Sequence, residues 1–274
     1  MARARHVGLR SVFSFLAFAL AVAPARSQTA PPLASAARVW ADHVVEIEQY
    51  LKSAEVVGIE EIKVGVTKPR RAKLATGGPC EAIAWKPIRP GRYSGFWESY
   101  KSEIAAYELD KLLGMGMIPP TVEKEVKGDT GAAVMWVSPV KSFKELGGVP
   151  GQQKGVSGPP PAQIPSWTRQ ITVAKMFDNL VGNIDPNLGN WLVDPNWNLI
   201  LIDHTRAFTN TRELYHHLVR VDDDLWAKMK ALDEASLTTA LGAWLDKGQI
   251  KALLQRRDKM QQAIDKLPQT TAQK

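Results

Sequence analysis

The sequence predicts an α+β chain whose two halves are organised differently, and three observations carry that prediction. Residues 58–140 alternate short strand-like runs with one helical run among them. A Pro/Gly-rich stretch, GGVPGQQKGVSGPPPAQIP, then interrupts the chain within residues 141–165. Beyond it, residues 166–268 are mostly of helical period and enclose one hairpin-like segment crowded with aspartate and asparagine.

The elements follow in order. Arg3, Arg5 and Arg10 precede the apolar run VFSFLAFALAVA (12–23) and the small-residue stretch PARS, so residues 1–27 read as a signal peptide. The run is too short for a convincing membrane span. Export to a periplasm is the expected location; an uncleaved segment would instead tether the protein to the membrane. Residues 28–57 form an N-terminal extension, in which AARVWADHVVEIEQYLKSA (36–54) has Val39, Trp40, Val44, Ile47 and Leu51 at helical spacing.

Within 58–140, GIEEIKVGVTKPRRAKL alternates at Ile62, Val64 and Val66, breaks at Lys-Pro and returns through Leu74. GGPC is a turn, and EAIAWKPI is a further strand stopped by Pro87. FWESYKSEIAAYELDKLLGMG (96–116) reads as a helix with Ala105, Leu109 and Leu112 on one stripe and glycine at its end. TVEKEV and GAAVMWVSPV are two strands joined by KGDTG. The second half opens on the helix WTRQITVAKMFDNLVG and closes on helices over about 211–218, 222–232 and 236–266, with residues 269–274 a disordered tail.

The formal net charge of +7 falls to +3 once residues 1–27 are set aside, because they hold four arginines and no acid. No block of five like charges is left, so the basic stripe of a nucleic-acid binder is missing. Cys80 is the only cysteine, which excludes an internal disulfide and any CxxC metal or redox site. No G-x-S-x-G is present, so an esterase-like nucleophile is not supported.

Residues 177–208, FDNLVGNIDPNLGNWLVDPNWNLILIDHTRAF, place four aspartates and six asparagines among residues apolar enough for a core. A buried ionised carboxylate is costly unless paired or bound to a metal. NWLVD and NLILID bracket the turn Pro195-Asn196-Trp197, so Asn190 and Asp203 meet at the open end of a hairpin. Asp185 lies within loop reach of both. Two carboxylates and a carboxamide oxygen are hard ligands that suit Mg²⁺ or Mn²⁺. Asp178, in a helical run, reads as a structural pair or cap, and Asp194 beside Pro195 as a turn former. His204, His216, His217 and Glu213 make a poor zinc cluster, since adjacent histidines on a helix point about 100° apart.

Asp185-Pro-Asn-Leu-Gly-Asn190 resembles the D-x-x-x-x-N of kinase catalytic loops, and Asp203 stands where the metal-binding aspartate of D-F-G would be. The surrounding F-D-x-L-x-x-N-x-D, G-N-x-L-x-D and L-I-D-H-x-x-A-F resemble the atypical kinases, the superfamily of HipA toxin kinases, phosphatidylinositol 3- and 4-kinases and secreted secretory-pathway kinases. Upstream, Ala82-Ile83-Ala84-Trp85-Lys86 is similar to the V-A-I-K strand, with Glu103 as the partner of its lysine.

The resemblance implies a two-lobed protein-kinase-like fold: a small antiparallel N-lobe sheet with one helix (58–140), and a mostly helical C-lobe with a catalytic hairpin (166–268). It implies ATP or another nucleotide as donor, Mg²⁺ or Mn²⁺ on Asn190 and Asp203, and phosphates on Lys86, fixed by Glu103. Asp185 would face the hydroxyl of an acceptor, whether protein, lipid or small molecule. The phosphate-covering hairpin lacks G-x-G-x-x-G, so Arg70 and Arg71 are assigned phosphate contacts in its place. The adenine-facing hinge falls near Met135 to Val137. Pro186 and Asn187 stand where many relatives carry basic residues, which weakens catalytic-loop positioning or shifts substrate handling. No A-P-E element follows Phe208, and a periplasm holds little ATP; an inactive nucleotide- or ligand-binding scaffold in the cell envelope is the alternative.

Overall fold

The computed structural model describes residues 37–61 and 70–268. The signal segment, the strand positions Ile62, Val64 and Val66, and the tail 269–274 lie outside the described residues. The fold is α+β: the described residues form a five-stranded and a three-stranded antiparallel sheet, a two-stranded ribbon and the helices that cover them.

Among the described residues the first helix, α1, spans Val44–Ser53, and residues 37–43, where the predicted helix would extend, are not helical. Its buried stripe is Ile47 and Leu51, while Val39 is 63% exposed before the helix begins. The Lys124 ammonium donates to the carbonyls of Leu51, Lys52 and Ala54 at 2.7–3.2 Å, satisfying acceptors that the helix end leaves orphaned. Strands β1 (Val56–Glu61), β2 (Arg70–Leu74) and β3 (Ala82–Lys86) follow. A small ribbon, β4 (Gly91–Tyr93) with β5 (Phe96–Glu98), leads into helix α2 (Tyr100–Leu113). The sequence pattern predicts helix for Phe96 to Glu98, where the structure has a strand. Ser99 ends the strand and caps α2 instead, its hydroxyl accepting from the Lys101 amide at 3.1 Å. Leu109 and Leu113 carry the buried stripe, and Leu112 is 44% exposed.

Strands β6 (Thr121–Val126) and β7 (Asp129–Met135) complete a five-stranded antiparallel sheet of order β1-β2-β3-β7-β6. Alternation separates its faces. Ile83, Trp85 and Ala133 pack with Ile47 and Leu51 of α1. Ala132 and Val134 pack on the other side with Tyr100 and Ile104 of α2, and Ala84 against them. At Gly131 a Cβ would stand 2.6 Å from the Lys86 carbonyl oxygen, so only glycine lets β7 pass this close to the end of β3.

The chain crosses from this sheet to a second over residues 136–140. Strand β8 (Lys141–Ser142) joins β9 (Trp191–Val193) and β10 (Leu199–Leu201) in the order β10-β9-β8, so the Pro/Gly-rich stretch is not loop throughout. A 3₁₀ turn at Pro161–Gln163 runs directly into α3 (Ile164–Val181), three residues earlier than expected. Helices α4 (Asp223–Lys230), α5 (Glu234–Leu241) and α6 (Lys247–Ile264) close the larger core, in which Phe143, Met176, Phe177, Leu180, Phe208 and Leu253 are fully buried. Burying each such side chain stabilises by roughly 1.5–3 kcal/mol.

Two helix expectations fail here. Residues 211–218 are irregular, because tertiary partners replace the helical ladder: Asn179 Oδ1 accepts from the Tyr215 and His216 amides and its Nδ2 donates to the His216 carbonyl. The run 236–266 is two helices, since Asp246 and Gln249 form a capping box that starts α6 afresh.

Candidate functional site

The hairpin positions the site. Strands β9 and β10 pair antiparallel with Leu201 opposite Trp191 and Leu199 opposite Val193. Asp194 closes their turn, Oδ1 accepting from the Asn196 and Asn198 amides at 2.8 Å each. At the open end the Ile202 amide donates to the Asn190 carbonyl at 3.0 Å, which sets Asn190 and Asp203 side by side. Asp203 itself takes a left-handed backbone, φ 63°. An L-residue holds that conformation only where its surroundings over-determine it, and such positions cluster at functional sites.

Lys86, at the end of β3, is 6% exposed and meets carboxylates from both sides. Its ammonium donates to Glu103 of α2 and, at 3.0 Å, to Asp203. Burial by itself would lower the lysine pKa; Asp203 and Glu103 outweigh it and hold the ammonium above its ordinary value. Burial likewise opposes ionisation of Asp203, yet Lys86 and the Thr205 hydroxyl, at 3.2 Å, keep its carboxylate below the usual range. The three residues, 117 positions apart in sequence at the extremes, form one charged cluster between the two sheets.

The loop before β9 is held by its own side chains. The Asn183 carboxamide links the buried Asp178 carboxylate, at 3.1 Å, to the Asp185 amide, at 3.1 Å. Asp178 also pairs with His216 at 3.1 Å, so its role is to fix the loop to α3. Asn190 donates through Nδ2 to the Asp185 carbonyl at 3.1 Å. Its amide oxygen is then the group left to face a cation.

Nothing local in the sequence marks Arg206, because its partners lie 21 and 108 residues away. Its Nε and Nη2 donate to Glu98 Oε1 at 2.9 and 2.7 Å, and Nη1 donates to Asp185 Oδ2 at 3.2 Å. The guanidinium stacks on Phe96, 4.5 Å from the ring centroid.

The two arginines of β2 part company. Register places Arg71 opposite Ala84, on the face that Lys86 shares, and Arg70 opposite Trp85 on the other face. Arg71 stacks on Trp136, 5.1 Å from the ring centroid, within the crossing segment. Arg70 is not brought to the Lys86 cluster. Trp191 is buried in the core, and Trp197 is partly buried against it, meeting Trp167 edge-on. Cys80 is buried, which pushes its thiol up to about 11. Among the described residues no three His, Cys, Asp or Glu side chains group as a metal cage, and no helix is long and apolar enough to cross a membrane.

The residues fit a metal-bound nucleotide on two counts. An ammonium has three donors, and two of those on Lys86 are taken, leaving one for a phosphate oxygen. Asp203 and the Asn190 oxygen are hard donors of the kind that complete a Mg²⁺ shell with waters and phosphate, with no all-protein cage needed.

No family model matches the sequence, and no curated protein matches it. Solved structures do. A hydra Fam20 structure with sugar superposes with a TM-score of 0.61 at 17% identity, covering 81% of this chain and 88% of that one. The chain has a kinase-like fold. A Golgi casein kinase with Mn and ADP bound matches with a TM-score of 0.57 at 15% identity, over 81% of this chain and 75% of that one. The Helicobacter pylori proinflammatory kinase CtkA matches at 0.50 and 12% identity, over 80% and 99%. In this two-lobed kinase-like fold the five-stranded sheet with α2 is the N-lobe, and the hairpin sheet with α3–α6 is the C-lobe.

Proposed function

We propose that the protein is a phosphotransferase that moves a phosphoryl group from a metal-bound nucleotide to a hydroxyl acceptor. The observation that carries this reading is the buried Lys86, shared between Glu103 of the N-lobe and Asp203 of the C-lobe. In the transfer, the bond from phosphorus to the nucleotide's bridging oxygen breaks, a bond to the acceptor oxygen forms, and the acceptor proton passes to Asp185. A divalent ion, Mg²⁺ or Mn²⁺, would neutralise charge on the phosphates, with Asp203 and Asn190 as its protein ligands. Lys86 holds phosphate oxygens through its remaining N–H, and Glu103 keeps that ammonium in place. Catalysis of this kind is positioning and charge stabilisation. The Golgi casein kinase, with Mn and ADP, supports nucleotide and metal as the ligands. The acceptor is a protein, lipid or small molecule, and export rests on the basic, apolar and small-residue order of residues 1–27.

One observation favours a second reading, a nucleotide-binding scaffold without turnover. Asp185 already accepts from Asn187 at 3.0 Å and from Arg206 at 3.2 Å, so both of its carboxylate oxygens are engaged before any acceptor arrives. Nucleotide titration with Mg²⁺, followed by release of labelled phosphate to water or to the protein, separates the two. Metal-dependent turnover that Asp203→Ala abolishes supports transfer; binding without turnover supports the scaffold, and turnover undiminished in Asp203→Ala removes the metal assignment.

A further inference from the structure

Asp185 sits in a loop without the basic residues that the resemblance leads one to expect, Pro186 and Asn187 standing in their place. Both of its carboxylate oxygens are nevertheless fixed. Oδ1 accepts from Asn187 Nδ2 at 3.0 Å, and the Asn187 side-chain oxygen accepts from the Gly189 amide at 2.7 Å. Oδ2 accepts from Arg206 Nη1 at 3.2 Å.

Arg206 is itself held from the N-lobe. The Ser99 amide donates to the Thr205 carbonyl at 2.9 Å, and the Ser102 hydroxyl donates to the Ala207 carbonyl at 3.2 Å. Between them Glu98, whose side chain is 5% exposed, receives two N–H bonds from the guanidinium. Three consecutive residues after the metal-facing aspartate are therefore fastened to the start of α2, the helix that carries Glu103. A charge-assisted fork of this geometry is stiff, because a planar guanidinium fixes the direction of each bond it makes.

We infer that Arg206 is the positioning residue for Asp185, and that Glu98–Arg206–Asp185 is a relay by which the N-lobe orders the acceptor-facing loop. Glu98 orients the guanidinium, the guanidinium sets the Asp185 carboxylate, and Asn187 passes that order on to Gly189. The helix that brings Glu103 to Lys86 is thus also the one to which the loop is fastened. The relay deepens the phosphotransfer reading and rests on Asp185 as the residue that faces the acceptor.

The test compares the native protein with Arg206→Ala, Arg206→Lys and Glu98→Gln, the last keeping the side-chain shape and removing its charge. Amide hydrogen exchange over 185–190 should rise at least about tenfold in Arg206→Ala and in Glu98→Gln, the effect of losing one charge-assisted bond. Arg206→Lys should recover part of the protection. With MgATP as probe, kcat for phosphate release should fall about 10–100-fold in Arg206→Ala while the KM for nucleotide holds within about twofold, as for a misplaced reacting group. Unchanged exchange at 185–190 in both Arg206→Ala and Glu98→Gln overturns the relay, whether or not the native protein turns over. Native protein that neither binds nor hydrolyses MgATP removes the phosphotransfer reading alone, and the exchange data still decide the relay.

Discussion

Replacing Lys86 by Met leaves Glu103 as a carboxylate with 2% of its side chain exposed and no cation beside it. Breaking a buried pair from one side costs about 3–5 kcal/mol, because the surviving charge has neither partner nor water. Asp203 loses the same partner, but its side chain is 28% exposed and water can compensate. For a chain of this size 1 kcal/mol moves Tm by about 2–4 °C, so the single variant should melt about 6–20 °C lower. The pair Lys86→Met, Glu103→Leu removes both charges and should recover most of that loss. The raised lysine pKa sets the pH window. Its contribution is complete below the ordinary lysine value of 10.5 and is lost only as pH climbs through the higher folded value, so the deficit should be full at pH 7. Equilibrium urea denaturation of native, single and double variants reads these differences. A single variant as stable as the native protein, or a double variant no better than the single, would refute the buried-cluster geometry.

Two further outcomes follow from groups outside the cluster. Burial pushes the Asp110 carboxyl up to about 7 although it accepts from the Met117 amide at 2.9 Å. The folded state therefore holds this proton where the unfolded chain has lost it, and native stability relative to Asp110→Asn should fall by up to about 1.4 kcal/mol per pH unit from pH 4 to 7; parallel pH profiles would contradict this. Arg256, fully buried, donates to the carbonyls of Leu180, Thr209 and Thr211 at 2.7–3.0 Å. Arg256→Met should destabilise by about 2–5 kcal/mol in urea, since three carbonyls lose a donor, and should raise hydrogen exchange over 209–216 first.

What could be read from the sequence was whatever local periodicity and order encode. Strand β3, helix α3 and the β9–β10 hairpin show themselves through alternation, helical spacing and the Asp194-Pro195 turn, and the structure has all three. The meeting of Lys86, Glu103 and Asp203 followed from the order of weak motifs, each ambiguous alone. Where tertiary contacts decide, local pattern misleads. Phe96 to Glu98 continue the period of α2, yet pairing with Gly91–Tyr93 makes them a strand. Residues 211–218 have helical spacing, yet Asn179 and Arg256 capture their backbone. Arg70 and Arg71 are adjacent and chemically alike, and only the register with Ala84 and Trp85 separates them. Arg206 carried no local signal, because its meaning lies in Glu98 and Asp185, both remote in sequence.

The most direct measurement is calorimetric titration of a non-hydrolysable ATP analogue, with and without Mg²⁺, into native protein and Asp203→Asn. Tight binding that requires the metal in the native protein, and that is weakened and no longer strengthened by the metal in the variant, is the predicted result. Metal-independent or absent binding in the native protein, or an unaltered metal requirement in Asp203→Asn, would contradict the site.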